Sequence, residues 1–364
     1  RLLMNGWGVG ASRIKGLGSG KEFSVGITLA ATVFVFSLIV FVHEAGHFIT
    51  AKLTGMQVDE FAIGFGPKLY SRKYGETVYS LRIIPLGGFN KIAGMSDEEE
   101  LNERSFLNKP VRSRLLVISA GALMNFLLAF LLLWGIVFST GISSVLPDPI
   151  VGGIIKNSAA AEAGIEPGDR IISVGNTPVN RWIDIPEAIE AHQREVVPVV
   201  YERDGSRITV DTIPKTDEKT GRTMLGVMPS IQTKYVGVGE AAHFAVNRIV
   251  DLGGMMLTGL YRMVSGTEKA ELAGPIGVAQ LAGQAASVGF VNLLTFTAFL
   301  SLNLGILNLL PIPMLDGGYI ILILLEGITR RKMPKKALYY IQMAGVIILG
   351  AMFIFALVQD ISRF

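Results

Sequence analysis

Two histidines and a glutamate stand at a spacing that could bind and use a metal ion. They form the pentapeptide His43-Glu44-Ala45-Gly46-His47. Histidines at positions i and i+4 of a helix lie on one face, so both imidazoles can reach one cation. The glutamate between them is placed to take a proton from a water at that metal. Because the chain has no cysteine, a metal site here must use His and carboxylate ligands.

The surroundings of this motif favour a functional role. It follows the apolar run Val33–Val42, which contains a single polar residue, Ser37. Polar and ionisable side chains within a membrane helix cost free energy unless they serve a function. The alternative interpretation is a structural polar cluster that satisfies its own hydrogen bonds between helices.

The third ligand of a zinc site is expected from a distant segment. A catalytic zinc has three protein ligands and an open position for water. Asp316 is the best candidate, in the segment Asn308–Gly318, where two prolines and two glycines break the helix. Such irregular backbone at membrane depth is tolerated where it lines a cavity inside the protein. The alternative is that Asp316 only caps the helix that follows.

Composition places these motifs in a membrane protein. Half of the 364 residues are apolar, 17% are charged and the mean hydropathy is +0.47, which is high for a soluble enzyme. Four segments have the length and apolarity of transmembrane helices, at about 23–53, 115–140, 291–315 and 337–358. The basic residues flank these segments without interleaved aromatic platforms, so we expect the lipid bilayer and no nucleic acid as a partner.

Two basic loops orient the four segments. Ten Lys and Arg residues lie in 52–114 and five in 330–336. By the positive-inside rule both loops are cytoplasmic, which places 141–290 and both termini outside the cytoplasm. His43 then lies about 20 residues into the first segment and Asp316 about 25 into the third, so both reach the cytoplasmic side of a core of about 30 Å.

The segment 240–266 tests this topology. Its apolar positions are interrupted by Asn247, Arg248, Asp251 and Arg262. Charged residues in the middle of a span are costly, so we expect an interfacial amphipathic helix on the outer surface. A fifth span would reverse the third helix and put Asp316 on the opposite face.

Two stretches have the pattern of β-structure. Residues 58–92 alternate apolar and polar positions around glycine-containing turns, which predicts a hairpin region. We expect its second strand to have an open edge that pairs with an extended substrate. That strand comprises Val78, Tyr79, Ser80, Leu81, Arg82, Ile83 and Ile84. The alternative is a small cytoplasmic hairpin without a binding role.

The second stretch, 149–229, is expected to be a soluble module of short strands. The run Ser158–Val179 resembles the PDZ domain of membrane-associated bacterial proteases. A PDZ domain binds extended peptides by strand addition beside a glycine-containing loop. The expected loop contains Val151, Gly152, Gly153 and Ile154. The alternative is a passive spacer.

The two motifs and the inserted module together resemble the site-2 protease family of intramembrane metalloproteases, in its bacterial regulator-of-sigma-E branch. The resemblance covers nearly the whole chain from Phe23 onward. It implies one zinc ion held by His43, His47 and Asp316, with Glu44 as the catalytic base. It also implies that Asn308 positions the substrate or stabilises the oxyanion. Several members of that branch carry tandem PDZ modules, whereas this chain has room for one.

The resulting prediction is a polytopic α-helical membrane protein with four transmembrane helices, a β-hairpin region and one extracytoplasmic PDZ domain. Its parts are a leader segment (1–22), a first membrane part (23–148), the PDZ domain (149–229), an interfacial helix with connector (230–290) and a second membrane part (291–364). We expect a zinc endopeptidase of the bacterial inner membrane that cuts single-span substrates, either anti-sigma-factor-like proteins or remnant signal peptides. The PDZ domain would filter or bind pre-trimmed substrates. The alternatives are a non-catalytic membrane scaffold and a metal or proton transporter.

Overall fold

The computed structural model describes residues 25–95, 102–192, 195–216, 223–267, 273–331 and 334–362. The leader segment 1–22 lies outside these residues. The chain divides into two compact units. The inserted unit comprises Thr140–Val236, and the helical unit comprises the described residues of Glu22–Ser139 and Gly237–Phe364.

The elements of the first half run in this order: α1 (Val25–Leu53), β1 (Val58–Tyr74), β2 (Thr77–Ile92), a 3-10 turn (Phe106–Asn108), α2 (Val111–Thr140), β3 (Ile142–Val145), β4 (Val151–Ile154), α3 (Ala159–Glu162), β5 (Arg170–Val174), β6 (Thr177–Pro178) and α4 (Asp184–Glu190). The second half contains β7 (Val197–Arg203), β8 (Ser206–Thr212), β9 (Lys215–Thr216), β10 (Thr223–Met224), β11 (Val227–Pro229), β12 (Ile231–Lys234), α5 (Val238–Val264), α6 (Pro275–Val288), α7 (Phe290–Asn308), α8 (Asp316–Thr329) and α9 (Lys335–Ile361).

Within the described residues, four helices are long and apolar enough to cross a membrane, namely α1, α2, α7 and α9. The third predicted span was too long at its end, because α7 stops at Asn308 rather than at residue 315. Pro311 and Pro313 follow, and proline lacks the N–H of a helical hydrogen bond and disfavours a helical conformation of the preceding residue. Helix α8 then begins at Asp316.

Helix α5 packs against α2 and α7 in the helical unit. Its Ala245 joins an apolar cluster with Leu133 and Ala298, and its Leu252 joins another with Ala129 and Ile306. Three of its residues are buried, whereas many others are exposed, so the helix presents one packed face. It is not among the four candidate spans. Its predicted position at the membrane interface stays a prediction.

The sheet of the helical unit has an order that the alternating pattern did not predict. The first part of β1 pairs with both parts of β2: Phe61, for example, stands beside Tyr79 and also beside Asn90. The last part of β1 folds back onto β2, so Arg72 also stands beside Tyr79. The order across the sheet is therefore 88–92, 58–63, 77–82 and 68–74.

The open edge predicted for Val78–Ile84 is wrong for its first four residues. Val78, Tyr79, Ser80 and Leu81 each have a β1 neighbour on both sides. Consistent with this central position, Thr77 is 1% and Ser80 6% exposed. An added strand could pair there only by displacing β1. Among the described residues, no second strand pairs with Gly88–Asn90 on the side away from β1.

The inserted unit is built from short strands around one apolar core. Its main sheet has the order β6-β5-β7-β8, and β4 pairs with β11. Strands β3 and β12 pair over four residues each and join the two chain ends of the unit, from Ile142↔Lys234 to Val145↔Ile231. The core contains Ile171, Ile185, Val197, Val199 and Leu225.

The predicted peptide-binding loop is a strand in the structure. Val151–Ile154 forms β4, and Val151 has a backbone neighbour on both sides. Its N–H donates to Asp169 O at 2.8 Å and its carbonyl accepts from Gly168 N at 2.7 Å, while Pro229 pairs with it from β11. A Cβ on Gly152 would overlap the Pro229 carbonyl, so glycine is needed here for close strand packing rather than for an open loop.

Candidate active site

Helix α1 and the start of α8 bring three ligand atoms together. His43 Nε2 and His47 Nε2 lie 3.1 Å apart. Asp316 Oδ2 lies 3.5 Å from His43 Nε2, and Asp316 Oδ1 lies 3.6 Å from His47 Nε2. One ligand atom from each residue lies within 4.8 Å of the other two. The structure thus joins the two predicted motifs, which are distant along the chain.

The hydrogen bonds of the two Nδ1 atoms determine whether the Nε2 atoms, which face Asp316, carry a proton or a lone pair. His47 Nδ1 lies 2.8 Å from the carbonyl of Val117, which can only accept, so Nδ1 carries the proton. In the neutral ring the Nε2 atom then carries a lone pair that can bind a metal. His43 Nδ1 lies 3.2 Å from the amide of Asn125, which is fully buried. Turning this amide over lets its otherwise unpartnered Oδ1 accept the His43 Nδ1 proton.

This arrangement fits a zinc ion. With both Nδ1 atoms protonated, two imidazole lone pairs and a carboxylate point at one space, where they repel each other without a cation. Asp316 Oδ2 is buried and has no hydrogen-bond partner among the described residues, which fits the role of a metal ligand. Two nitrogens and one carboxylate oxygen are a common ligand set of catalytic zinc, which keeps a further position for water.

Small residues let α2 approach the histidines. A Cβ on Gly121 would overlap His47 Nε2 and lie 2.6 Å from His43 Cε1. A Cβ on Gly46 would lie 2.5 Å from the Ala120 carbonyl oxygen. Both contacts are shorter than packed atoms tolerate. The glycine inside the histidine motif therefore serves helix packing, which brings Val117 and Asn125 to the imidazoles.

Asp316 is placed by a tight connection and a distant ion pair. Met314 adopts a positive φ of 75°, which is unfavourable for a residue other than glycine. A Cβ on Gly317 would overlap the carbonyls of Leu309 and Leu310, so the start of α8 lies directly on the connection. At the other end of α8, Arg114 Nη1 and Nη2 each donate to Glu326 at 2.9 Å. This partly buried bidentate pair fixes α8 to α2.

A cleft of about 260 Å³ opens beside the ligand cluster. It is lined by His43, Glu44, His47, Phe89, Asn90, Ile92, Met95, Ile118, Asn308, Met314, Leu315, Asp316 and Tyr319. All five residues predicted for metal binding and catalysis line this cleft, Asn308 from the last turn of α7. None of the predicted strand residues Val78–Ile84 does. The part of β2 at the cleft is its end, with Phe89, Asn90 and Ile92.

Two amide side chains at the site were not predicted, and neither was Tyr319, which lines the cleft. Asn125 carried a signal, since it is a buried amide inside an apolar helix, where polar side chains are costly. Asn90 carried none, because a single polar residue after a glycine pair in a strand region is common. The predicted loop residues Val151–Ile154 belong to the inserted unit.

Comparison with known proteins identifies the family. The model of peptidase family M50 matches residues 31–352, which is most of the chain. The chain belongs to peptidase family M50. This confirms the resemblance to the site-2 proteases. Among M50 relatives, the regulator of sigma-W protease RasP of Bacillus subtilis is 30% identical over 417 residues, covering 92% of this chain and 98% of that protein. The zinc metalloprotease RasP of Bacillus licheniformis is 30% identical over 421 residues, covering 92% and 99%.

The M50 chain is therefore a zinc metalloprotease of regulated intramembrane proteolysis and a multi-pass protein of the inner membrane. The predictions of a metalloprotease and of zinc are confirmed. One solved structure, the PDZ domain of an SdrC-like protein from Listeria monocytogenes, is 18% identical with a TM-score of 0.21, covering 24% of this chain and 92% of that one. A likeness of this size carries no weight for the fold of the inserted unit.

Proposed function

We propose that this protein hydrolyses peptide bonds of single-span membrane proteins within or near their transmembrane segment. In this proposal His43, His47 and Asp316 hold the zinc, and Glu44 is the catalytic base. The observation that carries it is the convergence of three ligand atoms within 4.8 Å, from two distant segments, in the cleft that Glu44 also lines.

Each residue of the cleft has a separate task in this proposal. When bound, zinc supplies a Lewis acid and lowers the pKa of water from 15.7 towards about 7. Glu44 accepts the proton of the attacking water and passes it to the leaving amine. Asn308 donates to the oxyanion that develops on the scissile carbonyl, a type of contact worth about 3–4 kcal/mol elsewhere.

We further propose that the unwound substrate pairs with the strand segment Gly88–Asn90, called here the edge strand. A helical substrate must unwind before hydrolysis, because its carbonyls are engaged in its own hydrogen bonds. An open strand edge then offers new partners to its backbone. The edge strand pairs with β1 on one side, and its Phe89 and Asn90 line the cleft. It takes the role first expected for Val78–Ile84.

The proposed substrate rests on the membrane topology of the chain and on the name of one relative. We propose that the inserted unit and both chain termini lie outside the cytoplasm, with the cleft near the cytoplasmic side of the bilayer. The name of the Bacillus subtilis relative, regulator of sigma-W protease RasP, supports an anti-sigma-factor-like substrate over a remnant signal peptide.

The inserted unit is proposed to be a PDZ module that admits only substrates whose outer domain has been trimmed. The paired stem β3–β12 allows a clean test, since 146–230 can be replaced by an Asn-Gly turn between Val145 and Ile231. The shortened protein is expected to cleave untrimmed reporters. A continued need for trimming would place the filter elsewhere.

The catalytic proposal is tested by two variants of the purified protein. Glu44→Gln should keep about one zinc per chain and lose cleavage of a tagged single-span reporter by a factor of 10² or more. Asp316→Asn should lose both zinc and cleavage, because an amide is a poorer ligand than a carboxylate. Cleavage by Glu44→Gln at the wild-type rate, or unchanged zinc affinity in Asp316→Asn, would contradict the assignment.

A further inference from the structure

Asn90 reaches from the edge strand to the proposed base. Its Nδ2 donates to the backbone carbonyl of Glu44 at 2.8 Å and to Glu44 Oε2 at 2.7 Å. One amide therefore holds both ends of the same residue. A Cβ on the neighbouring Gly88 would lie 3.2 Å from Glu44 Cγ, so the strand lies against the base without an intervening side chain.

These two contacts fix the orientation of the Asn90 amide. A backbone carbonyl can only accept, so the group that faces it must be the NH2 end. Turning the amide over would set its oxygen against the carbonyl and the carboxylate of Glu44. The Oδ1 atom must therefore point away from Glu44. The orientation is certain because both partners of the amide can only accept a hydrogen bond.

The Oδ1 atom of Asn90 is left without a donor. It is buried and has no hydrogen-bond partner among the described residues. An unmade bond to a buried acceptor costs free energy, so such atoms are rare and call for an explanation. Asn90 lines the cleft together with Glu44, Asn308 and Asp316. A donor that enters the cleft could satisfy it, and an unwound peptide offers backbone N–H groups.

We propose that Asn90 is a two-sided residue of the site, whose NH2 positions the Glu44 carboxylate and whose Oδ1 accepts a backbone N–H of the bound substrate. The substrate is thereby registered against the base by a single side chain. This inference rests on the proposed role of Glu44. It adds a direct contact between the edge strand and the peptide that is cut.

Three substitutions separate the two sides of Asn90. Asn90→Leu keeps the size and removes both functions. Asn90→Asp keeps an acceptor at the cleft but sets a second carboxylate against Glu44. Combined with Glu44→Gln, Asn90→Asp exchanges amide and carboxylate, so the contact between the two side chains is restored, whereas the contact with the backbone carbonyl of residue 44 is lost. Asn247→Leu on α5 is the matched control, since this exposed amide bonds only to His243 among the contacts described.

The first measurement is capture of a tagged single-span reporter, chosen because the wild-type protein cleaves it, by the inactive Glu44→Gln protein. Adding Asn90→Leu should weaken capture about five- to tenfold, as expected for one hydrogen bond. Adding Asn90→Asp should weaken capture less than Asn90→Leu does, because it keeps the acceptor in the cleft. Zinc content should stay at the parental value in both, which a general loss of structure would not allow. Equal capture with and without Asn90→Leu, or weaker capture with Asn90→Asp than with Asn90→Leu, would overturn the substrate contact.

The second measurement is cleavage with Glu44 present. Asn90→Leu and Asn90→Asp should both lower kcat, by about 10²-fold for a misplaced base, whereas only Asn90→Leu should also raise KM. Asn247→Leu should cleave at the wild-type rate. If Glu44→Gln is inactive and Asn90→Leu is fully active, the positioning role is wrong and the proposed function stands. If Glu44→Gln itself cleaves, the proposed function fails first.

Discussion

Helix α1 presents two different faces to its surroundings. The face with His43 and His47 lies against α2, where Gly46 and Gly121 allow backbone and imidazoles to touch. The face with Glu44 is turned by about 100° along the helix and meets the edge strand and the cleft. Both faces carry polar groups, but only on the first does packing against α2 close off part of them, namely the Nδ1 sides of the imidazoles.

The partners of these polar groups differ in the same way. On the closed face, each imidazole Nδ1 has a neighbour supplied by α2, from Val117 or Asn125. On the open face, Asn90 bonds to Glu44 and leaves its own oxygen without a donor. A resident ligand such as zinc needs fixed donors, whereas a substrate that comes and goes needs groups that are satisfied only when it is bound. In the proposed function, the two faces of one helix serve permanent and transient ligands.

The largest expected effect is on zinc affinity, when the Asn125 side chain of the closed face is removed. Asn125→Leu removes the side chain that orients His43, so the zinc dissociation constant should rise about 10- to 100-fold. Asn125→Asp should retain affinity, because a carboxylate also accepts the His43 Nδ1 proton. Competition with a chelator on the purified protein measures both values.

The control for Asn125→Leu is a buried polar group that does not face the ligands. Thr297 is fully buried, and its hydroxyl donates to Leu293 O at 2.7 Å within α7. Thr297→Val should leave zinc affinity unchanged. If Asn125→Leu also binds zinc as tightly as the wild type, packing against α2 alone orients His43, and the hydrogen bond is not needed.

The closed face could be predicted because its geometry is local. The spacing of His43 and His47 fixes a common helical face whatever the rest of the fold does. Asp316 was accessible through a second local signal, the proline and glycine residues that end α7 and start α8, together with the length of a membrane span. The end of α7 was still misplaced by several residues, since such breakers indicate that a helix stops without fixing where. Asn125 could have been found by asking which amides an apolar helix buries.

The open face could not be predicted because strand order is not local. Residues 78–84 and 88–92 both have strand-forming sequences, and alternation cannot tell which of them β1 will enclose. The structure resolves this by folding β1 back on itself, so that Leu81 becomes central and Phe89 reaches the cleft. The same holds for β4, whose glycines suggested a loop although Gly152 is required by the nearby backbone of β11.

A smaller effect is expected from a direct comparison of these two strand segments. Because the chain has no cysteine, single cysteines can be introduced at Phe89 and at Leu81 without a background thiol. Both side chains are apolar and within reach of solvent or the cleft, since Leu81 is 44% exposed and Phe89 lines the cleft. In the Glu44→Gln protein, Phe89→Cys should form a disulfide with a reporter carrying one cysteine near its cleavage site. The yield should be several-fold above that of Leu81→Cys.

Two further measurements show whether Phe89→Cys reports on the substrate or on a loosened sheet. Phe89 packs under the Arg82 guanidinium, 4.9 Å from the ring centroid, so Phe89→Cys could loosen the sheet. Equal zinc content and equal thermal stability of the two variants would exclude that cause. A reporter whose cysteine is moved stepwise along its apolar segment should cross-link to Phe89→Cys at alternate positions, because successive side chains of a paired strand point to opposite faces. Cross-linking at every third or fourth position would mean that the substrate enters the cleft as a helix, and the edge strand would then bind no unwound peptide.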